Sequence, residues 1–289
     1  MPGLSGEQSE LYEHNGYAIV EEVIPPADFE LLIKELNETV DRNIREAHAA
    51  GLVSDLFEGE PFNRRLARAV DAIKDPSEKT NRSRIFHGLT DKLRSAGMFA
   101  VVTHPAILDI SESLIGPEVL AHPQFNIRPK LPHQDSSVVP WHQDLAYLES
   151  EAKPAYMVNF WIPLVDATAE NGCMEVISGS HKLPLIRHYA KLGPGHNFSG
   201  ILDENLPPGE KVLCPVKVDD VLLTQHKTIH RALANTSDHI RWSLDLRYSD
   251  PQMPTGRDVV PGFIARSEEN PDSVAKGIDD WLSIMHGAD

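Results

Sequence analysis

The stretch Ile240-Arg241-Trp242-Ser243-Leu244-Asp245-Leu246-Arg247-Tyr248 alternates apolar and polar residues without a break. In extended chain, successive side chains point to opposite faces. Ile240, Trp242, Leu244, Leu246 and Tyr248 therefore share one face of a strand, and Arg241, Ser243, Asp245 and Arg247 share the other. If that strand has one solvent face, the polar lane is simply outside. If it belongs to a barrel that encloses a small polar ligand, the polar lane lines the lumen. Parity alone leaves both arrangements open. Working outward, period-two runs bounded by Pro, Gly, Asn and Asp recur from about Val119, at 124–128, 138–147, 156–162, 174–177, 212–216, 221–224 and 228–232. With 240–248 they amount to a mainly β chain with helices (α+β), organised as an antiparallel barrel or jelly roll.

Ahead of that region the spacing is helical. Ser5-x-x-Gln8 has the form of a capping box, and Gly16 suits the end of the short helix it opens. A short strand is expected at 17–20. Phe29, Leu32, Ile33, Leu36, Val40 and Ile44 then recur at helical intervals behind Pro25-Pro26, as do Phe62, Leu66, Val70 and Ile73. Pro105 suits the first turn of a helix carrying Ile107, Leu108 and Leu114, with Gly116 after it. Val274, Ile278, Trp281, Leu282 and Met285 predict a closing helix. We read residues 1–289 as one domain: a mainly helical support region (1–118), a β core (119–250) and a C-terminal extension (251–289).

Composition removes several classes of function. The chain has 289 residues, 41% of them hydrophobic, which is enough for a sizeable core, and its formal net charge is −16. So acidic a surface repels phosphate backbones and anionic lipid, so neither nucleic acid nor a membrane surface is an expected partner. No unbroken apolar run reaches transmembrane length. The start, Met1-Pro2-Gly3-Leu4-Ser5-Gly6-Glu7, shows no basic and no apolar leader region. Cys173 and Cys214 lack CxxC spacing, which excludes a disulfide framework or a cysteine-rich zinc site. A cytoplasmic protein is the expectation; the oligomeric state stays open.

Non-haem iron is held by two histidines and a carboxylate that leave positions open for ligands. His-x-Asp on a strand would set an imidazole beside a carboxylate. With 14 histidines and 43 acidic residues, chance alone gives about two His-x-acid pairs, and this chain has His133-Gln134-Asp135 and His142-Gln143-Asp144. Context separates them. His133 follows Pro132 and precedes Ser136-Ser137, the setting of a surface loop, whereas His142 sits among strand-forming and aromatic neighbours in Val139-Pro140-Trp141-His142-Gln143-Asp144-Leu145-Ala146-Tyr147. A third ligand must come from a distant strand, where His226 and His230 both qualify. Arg241 follows His230 across an Asn235-Thr236-Ser237-Asp238 turn, so the two would stand on adjacent strands, and an arginine there can clamp a dicarboxylate.

Four blocks stand in order along the chain: Pro140-Trp141-His142-Gln143-Asp144; Glu170-Asn171-Gly172-Cys173-Met174; Gly179-Ser180-His181-Lys182; and His230-x-Ala232-x-x-Asn235-x-Ser237-x-x-x-Arg241. In these the sequence resembles the phytanoyl-CoA dioxygenase family of iron(II)/2-oxoglutarate oxygenases, over residues 8–266. The resemblance implies a double-stranded β-helix (jelly-roll, cupin-like) core with the N-terminal helices packed outside. It implies His142, Asp144 and His230 as iron(II) ligands, and Arg241 on the distal carboxylate of 2-oxoglutarate. Gln124 matches a position that contacts the cosubstrate, and Asn159 and Trp161 fall on the strand that flanks it; core packing is the competing role for Trp161. His181 falls in a turn and reads as structural. Two positions depart from the family pattern: Asp219-Asp220 replaces Gly-Asp, and Ala232 stands where a hydroxyl residue is usual. A carboxylate at Asp144 favours oxygen chemistry over halogenation.

The implied activity consumes 2-oxoglutarate and O₂, releases succinate and CO₂, and hydroxylates a small organic molecule; desaturation, cyclisation or epimerisation would use the same residues. Fold and motif do not transfer a substrate. Asn126 and Arg128, and among the later arginines Arg247, Arg257 and Arg266, are the residues placed to meet an anionic substrate group, with ion pairing at the surface as the competing role for the arginines. Two rival functions remain at this level: a cupin-like metal isomerase or 2-oxoglutarate-independent dioxygenase, and a catalytically silent barrel protein.

Overall fold

The computed structural model describes residues 3–73, 84–89, 93–134, 137–148, 155–193, 198–257 and 261–286. The strands are, in chain order, β1 Tyr17–Val20, β2 Val119–Ala121, β3 Asn126–Lys130, β4 Val139–His142, β5 Met157–Pro163, β6 Met174–Ile177, β7 Tyr189–Leu192, β8 Phe198–Gly200, β9 Lys211–Cys214, β10 Val221–Gln225, β11 His230–Ala232, β12 Arg241–Ser249 and β13 Phe263–Arg266. All their ladders are antiparallel. One sheet runs β1-β10-β5-β12-β2-β13, with β3 also paired to β12; a second runs β4-β11-β6-β9; β7 and β8 form a separate pair. The helices are α1 Gly6–Asn15, α2 Glu30–Ala49, α3 Phe62–Asp71, α4 Ala96–Val102, α5 Pro105–Ile115 and α6 Ile278–His286.

The strand β12 answers the question that parity left open, because both of its faces are covered. Trp242, Leu244, Leu246 and Tyr248 are buried in one core with Leu32, Leu36, Leu66, Met98 and Ile107 of the helices. Phe62 stacks on Trp242 with ring centroids 4.9 Å apart, and the Tyr248 hydroxyl donates to the Val102 carbonyl at 2.7 Å. Fully burying a side chain of Leu or Phe size contributes roughly 1.5–3 kcal/mol, so a helical layer over this face has ample reason to stay. On the opposite face Arg241, Asp245 and Arg247 line a cavity of about 440 Å³, whose other wall comes from β4, β6 and β11 of the second sheet. The polar lane is therefore the inside of the site.

Local signals read from the sequence recur in the structure. Ser5 and Gln8 form the reciprocal capping box, and Gly16 ends α1 in the left-handed region with φ 80°. A Cβ on Gly16 would lie 2.2 Å from the His181 Nδ1, so glycine is required there for packing as well as for backbone conformation. Pro105 opens α5 and Gly116 ends it.

Other expectations shift. The run expected at 138–147 stops being a strand at His142. Gln143 stays extended (φ −117°, ψ 131°), and Asp144–Tyr147 form a 3-10 turn. His142 and Asp144 still project to the same side, because one extended residue between them is enough. The run at 124–128 slides to β3, and that at 228–232 begins only at His230. The closing helix starts at Ile278, after a turn at Pro271–Ser273, so Val274 lies outside it. The seven-stranded sheet also takes β1 from the support region and β13 from the C-terminal extension, so the 119–250 boundary understates the β core. The segment Ala96–Ile115 has a mean hydropathy of 1.3, apolar enough over 20 residues for a membrane span. It is broken after Val102, however, into helices of seven and eleven residues, each with its own side-chain N-cap, and both bury residues in the protein.

Candidate active site

His142 and His230 end β4 and begin β11, where they are directly opposed Cα partners in the antiparallel ladder. Their rings stand 4.1 Å apart, centroid to centroid. Asp144 enters from the turn after β4, with its Oδ1 3.7 Å from the His142 Nε2. One potential ligand atom from each of the three side chains lies within 4.8 Å of the others, and all three residues are buried. The two histidines share one anchoring device. The His142 Nδ1 is 2.9 Å from the carbonyl of Pro140 and the His230 Nδ1 is 2.9 Å from that of Thr228, in each case two residues back. A carbonyl only accepts, so Nδ1 carries the proton and Nε2 keeps its lone pair for a metal. Burial, reinforced by His230, pushes the His142 imidazole down to about 3, so it is neutral at physiological pH. Two imidazoles that turn Nε2 to the cavity and a carboxylate are the donor set that a non-haem iron(II) site uses.

Asp144 is held by residues on two adjacent strands. Arg247 and Asn159 are Cα partners in the β12–β5 ladder. The Arg247 Nη2 lies 3.0 Å from Oδ1 of Asp144, and the Asn159 side-chain amide donates to Oδ2 at 2.7 Å. Burial raises the Asp144 carboxyl, but the charge of Arg247 and its hydrogen bond outweigh it and hold the group well below the usual carboxylate range. Arg247 also donates from Nη1 to the Gln124 carbonyl at 3.1 Å. Read from the sequence as a residue for substrate, Arg247 is instead committed to the carboxylate. Asn159, expected beside the cosubstrate, borders the cavity and gives its amide to Asp144.

Arg241 occupies the same wall. It is buried, its Nη1 donates to the Ser243 hydroxyl at 2.5 Å, and its guanidinium carbon lies 4.9 Å from the centre of the Trp161 ring. Its Nε has no partner among the described residues. Burial pushes the guanidinium down to about 10, still charged at neutral pH. Trp161 faces the cavity and also belongs to an apolar cluster with Cys173, Met174 and Leu222. Gln124 and Asn126 line the cavity too, and the Gln124 Oε1 is buried without a partner among the described residues. Arg128, partly exposed, is tied through its Nε to Asp245 at 2.8 Å. Among the described residues that line the cavity, Arg128, Lys130, Arg241 and Arg247 thus face Asp144 and Asp245 alone, which makes this lining basic in an acidic protein. A dicarboxylate fits that charge pattern.

Several other residues singled out in the sequence lie elsewhere. His133 is exposed in a turn, and Asp135 of its triplet lies outside the described residues. His226 accepts the Met157 N–H at Nδ1 (3.3 Å) and does not join the cluster. His181 bonds the Glu13 carbonyl at 3.0 Å, a structural role. Arg257 is exposed and does not border the cavity, because the chain leaves the site after β12; this corrects its reading as a substrate residue. Arg266 pairs with Asp109 and Glu112. Asp219, which stands where the family has glycine, accepts the N–H groups of Val23 and Ile24 with its backbone carbonyl, and Asp220, which keeps the family's aspartate, accepts those of Glu22 and Lys217, so the pair shapes a turn.

Motif residues to which the sequence gives no part in the site supply its scaffold. Gln143, fully buried, donates to the Lys227 carbonyl and accepts from the Ile186 N–H, which pins the loops on either side of the metal ligands. Asn235 donates to the carbonyls of Lys130 and His239 and accepts from Ser237. That turn sets where β12, and with it Arg241, begins.

Comparison with known proteins agrees with this geometry. The family model described as phytanoyl-CoA dioxygenase matches residues 12–243. The peroxisomal phytanoyl-CoA dioxygenase of Bos taurus is 26% identical over 254 residues, covering 86% of this chain and 69% of that protein. L-proline trans-4-hydroxylase of Streptomyces griseoviridis is 31% identical over 239 residues, covering 73% of this chain and 87% of that one. Among solved structures, the non-heme monooxygenase ThoJ superposes with a TM-score of 0.62 at 18% identity, over 97% of this chain and 94% of its own. The epimerase SnoN, solved with Fe3+, alpha ketoglutarate and nogalamycin RO, gives 0.55 at 22% identity, over 87% and 86%. The chain belongs to the phytanoyl-CoA dioxygenase family and is a dioxygenase that uses iron(II), 2-oxoglutarate and O₂.

Proposed function

We propose that this enzyme hydroxylates a small organic molecule in the cavity between two sheets of a double-stranded β-helix. In this reading His142, Asp144 and His230 hold iron(II). The observation that carries it is the convergence of those three side chains, with both histidines locked in the tautomer that aims Nε2 into the cavity. With its cosubstrate and O₂, the iron supplies a two-electron oxidation of a C–H bond, with succinate and CO₂ as co-products.

The protein's own residues orient and insulate. Arg241, buried, cationic and without a carboxylate partner among the described residues, receives the distal carboxylate of 2-oxoglutarate, while Trp161 packs beneath the guanidinium. Asn159 and Arg247 keep Asp144 ionised and, by engaging one oxygen each, restrict its rotation, so the carboxylate cannot swing into a site needed by a ligand. Val139, Met174, Phe198 and Leu222 provide apolar wall for the substrate, with Asn126, Arg128 and Tyr147 as polar contacts. Ala232 offers no hydroxyl to the cosubstrate, which puts more of the binding on cations. The hydroxylase named among the relatives supports hydroxylation over the other outcomes. The test is succinate release with a panel of small acids, amino acids and acyl thioesters. Release that needs both iron(II) and 2-oxoglutarate and is stimulated by one panel member, with oxygen entering the product, is the expected result; turnover without 2-oxoglutarate would refute it.

A further inference from the structure

The clamp on Asp144 rests on an irregularity in the sheet. Both β2 and β3 lie antiparallel along β12, as two parts of one strand would, but their registers differ by two residues. Ala121 is the partner of Tyr248 and Asn126 that of Asp245, so residues 122–125 stand against Leu246 and Arg247 alone. The extra chain bulges from the ladder opposite the arginine that holds the metal-binding carboxylate. A bulge re-aims the groups it carries, and this one turns the Gln124 carbonyl to the Arg247 Nη1, 3.1 Å away. Among the described residues, that carbonyl and Asp144 are the groups that fix the guanidinium, and the Arg247 Nε is buried without a partner. Without the carbonyl, Arg247 would be held at one end and free to turn.

One side chain holds the bulge. His122 is buried, and its backbone N–H donates to the Arg247 carbonyl at 2.9 Å. Pro123 has no N–H, so the next amide, that of Gln124, is the one that turns back to the ring. It donates to the His122 Nδ1 at 3.1 Å, and the His122 Nε2 lies 2.9 Å from the Thr255 carbonyl. An N–H only donates and a carbonyl only accepts, so the ring is fixed in one tautomer with its proton on Nε2. Burial pushes this imidazole down to about 4, so at neutral pH Nδ1 keeps the lone pair that the Gln124 amide needs.

We infer that His122 is a positioning residue for the metal-binding carboxylate: by fixing the Gln124 peptide it holds Arg247, and through Arg247 it sets the orientation of Asp144. This rests on the metal site proposed above. The bond to Thr255 ties the same restraint to the C-terminal extension.

The test is the visible spectrum of the Co(II)-loaded full chain, whose d–d bands respond to ligand geometry. His122→Leu removes both ring nitrogens. His122→Asn keeps an oxygen where Nδ1 stands and still accepts from the Gln124 amide. His122→Leu should displace the bands in the same direction as Arg247→Met, and His122→Asn should leave them at the wild-type position. The double variant, His122→Leu with Arg247→Met, should show the displacement of Arg247→Met alone. Wild-type bands in His122→Leu overturn the inference. So do bands displaced as far in His122→Asn as in His122→Leu, since the acceptor at Nδ1 would then not matter. A displacement in the double variant that equals the two single ones together overturns it as well, because the histidine would then act by a route other than Arg247. If His122→Leu does not fold, His122→Gln takes its place with the same expectations; it reaches toward Thr255 but puts no acceptor at the Nδ1 position. Wild type that takes up no Co(II) would instead sink the functional reading, and this inference with it.

Discussion

Arg247→Met tests the clamp on the metal-binding carboxylate. Arg247 and Asp144 are a buried pair, with side chains 5% and 9% exposed and 3.0 Å between Nη2 and Oδ1. Removing one partner of such a pair leaves the other as an uncompensated buried charge, at about 3–5 kcal/mol. Asn159 still donates to Oδ2, so the lower end, about 3 kcal/mol, applies; in a protein of this size that is on the order of 6–12 °C in Tm. The metal decides whether the cause is electrostatic. In the metal-free variant Asp144 has lost its strongest counter-charge, and Mn(II) supplies a new one. Mn(II) should therefore raise the Tm of Arg247→Met by clearly more than it raises that of wild type. In a double-mutant cycle, Asp144→Asn with Arg247→Met should cost less than the sum of the two single changes. The assay is thermal melting monitored by circular dichroism, with and without Mn(II). A loss that Mn(II) leaves untouched, together with strictly additive variants, would refute the reasoning and reduce Arg247 to a packing residue.

Further expectations concern the ligands and the cosubstrate. His142→Ala should abolish substrate-coupled succinate release while the near-UV circular dichroism of the metal-free protein is kept; full activity in this variant would remove His142 from the metal site. Arg241→Met should raise the 2-oxoglutarate requirement by on the order of 100-fold while Mn(II) affinity barely changes; an unchanged requirement would leave Lys130 as the main cation. Lys130 also sets a pH dependence. Its amine sits near 6 in the free protein, pushed there by burial, Arg241 and Arg128, and a carboxylate bound beside it raises it again. Above that pH the complex holds more protons than the free protein. Affinity for 2-oxoglutarate should thus fall as pH rises from about 6 to 9, by at most about tenfold per unit. Calorimetry in buffers of differing ionisation enthalpy would show the proton uptake, and a flat profile would contradict it.

Much of this architecture is legible in the sequence because local rules act over short spans. The capping box at Ser5, the left-handed Gly16 and the strands at 17–20 and 174–177 follow from neighbours a few residues away. His142, Asp144 and His230 stand out because four motif blocks keep their order and spacing, whereas His-Gln-Asp alone recurs by chance. Long-range pairing is where the sequence reading fails. Nothing near Arg247 announces that it meets Asp144, 103 residues earlier, and parity cannot tell which face of β12 the helices will cover. The short β2, β8 and β13 carry too few residues to show a period. The helix α4, Ala-Gly-Met-Phe-Ala-Val-Val, has no polar face to reveal its repeat. Lys130 went unnoticed because a lysine in a strand normally marks a solvent face; the signal that could have found it is Gly172, a motif glycine whose missing side chain makes room for the lysine stem.

The central claim is that three side chains and a basic cavity assemble iron(II) with 2-oxoglutarate. It is tested most directly by anaerobic titration of the metal-free protein with iron(II) and then 2-oxoglutarate, followed by visible absorption. A metal-to-ligand charge-transfer band that saturates at one equivalent of each, and that is absent in His230→Ala, is the predicted result. Stoichiometric iron binding with no such band at saturating 2-oxoglutarate would contradict it.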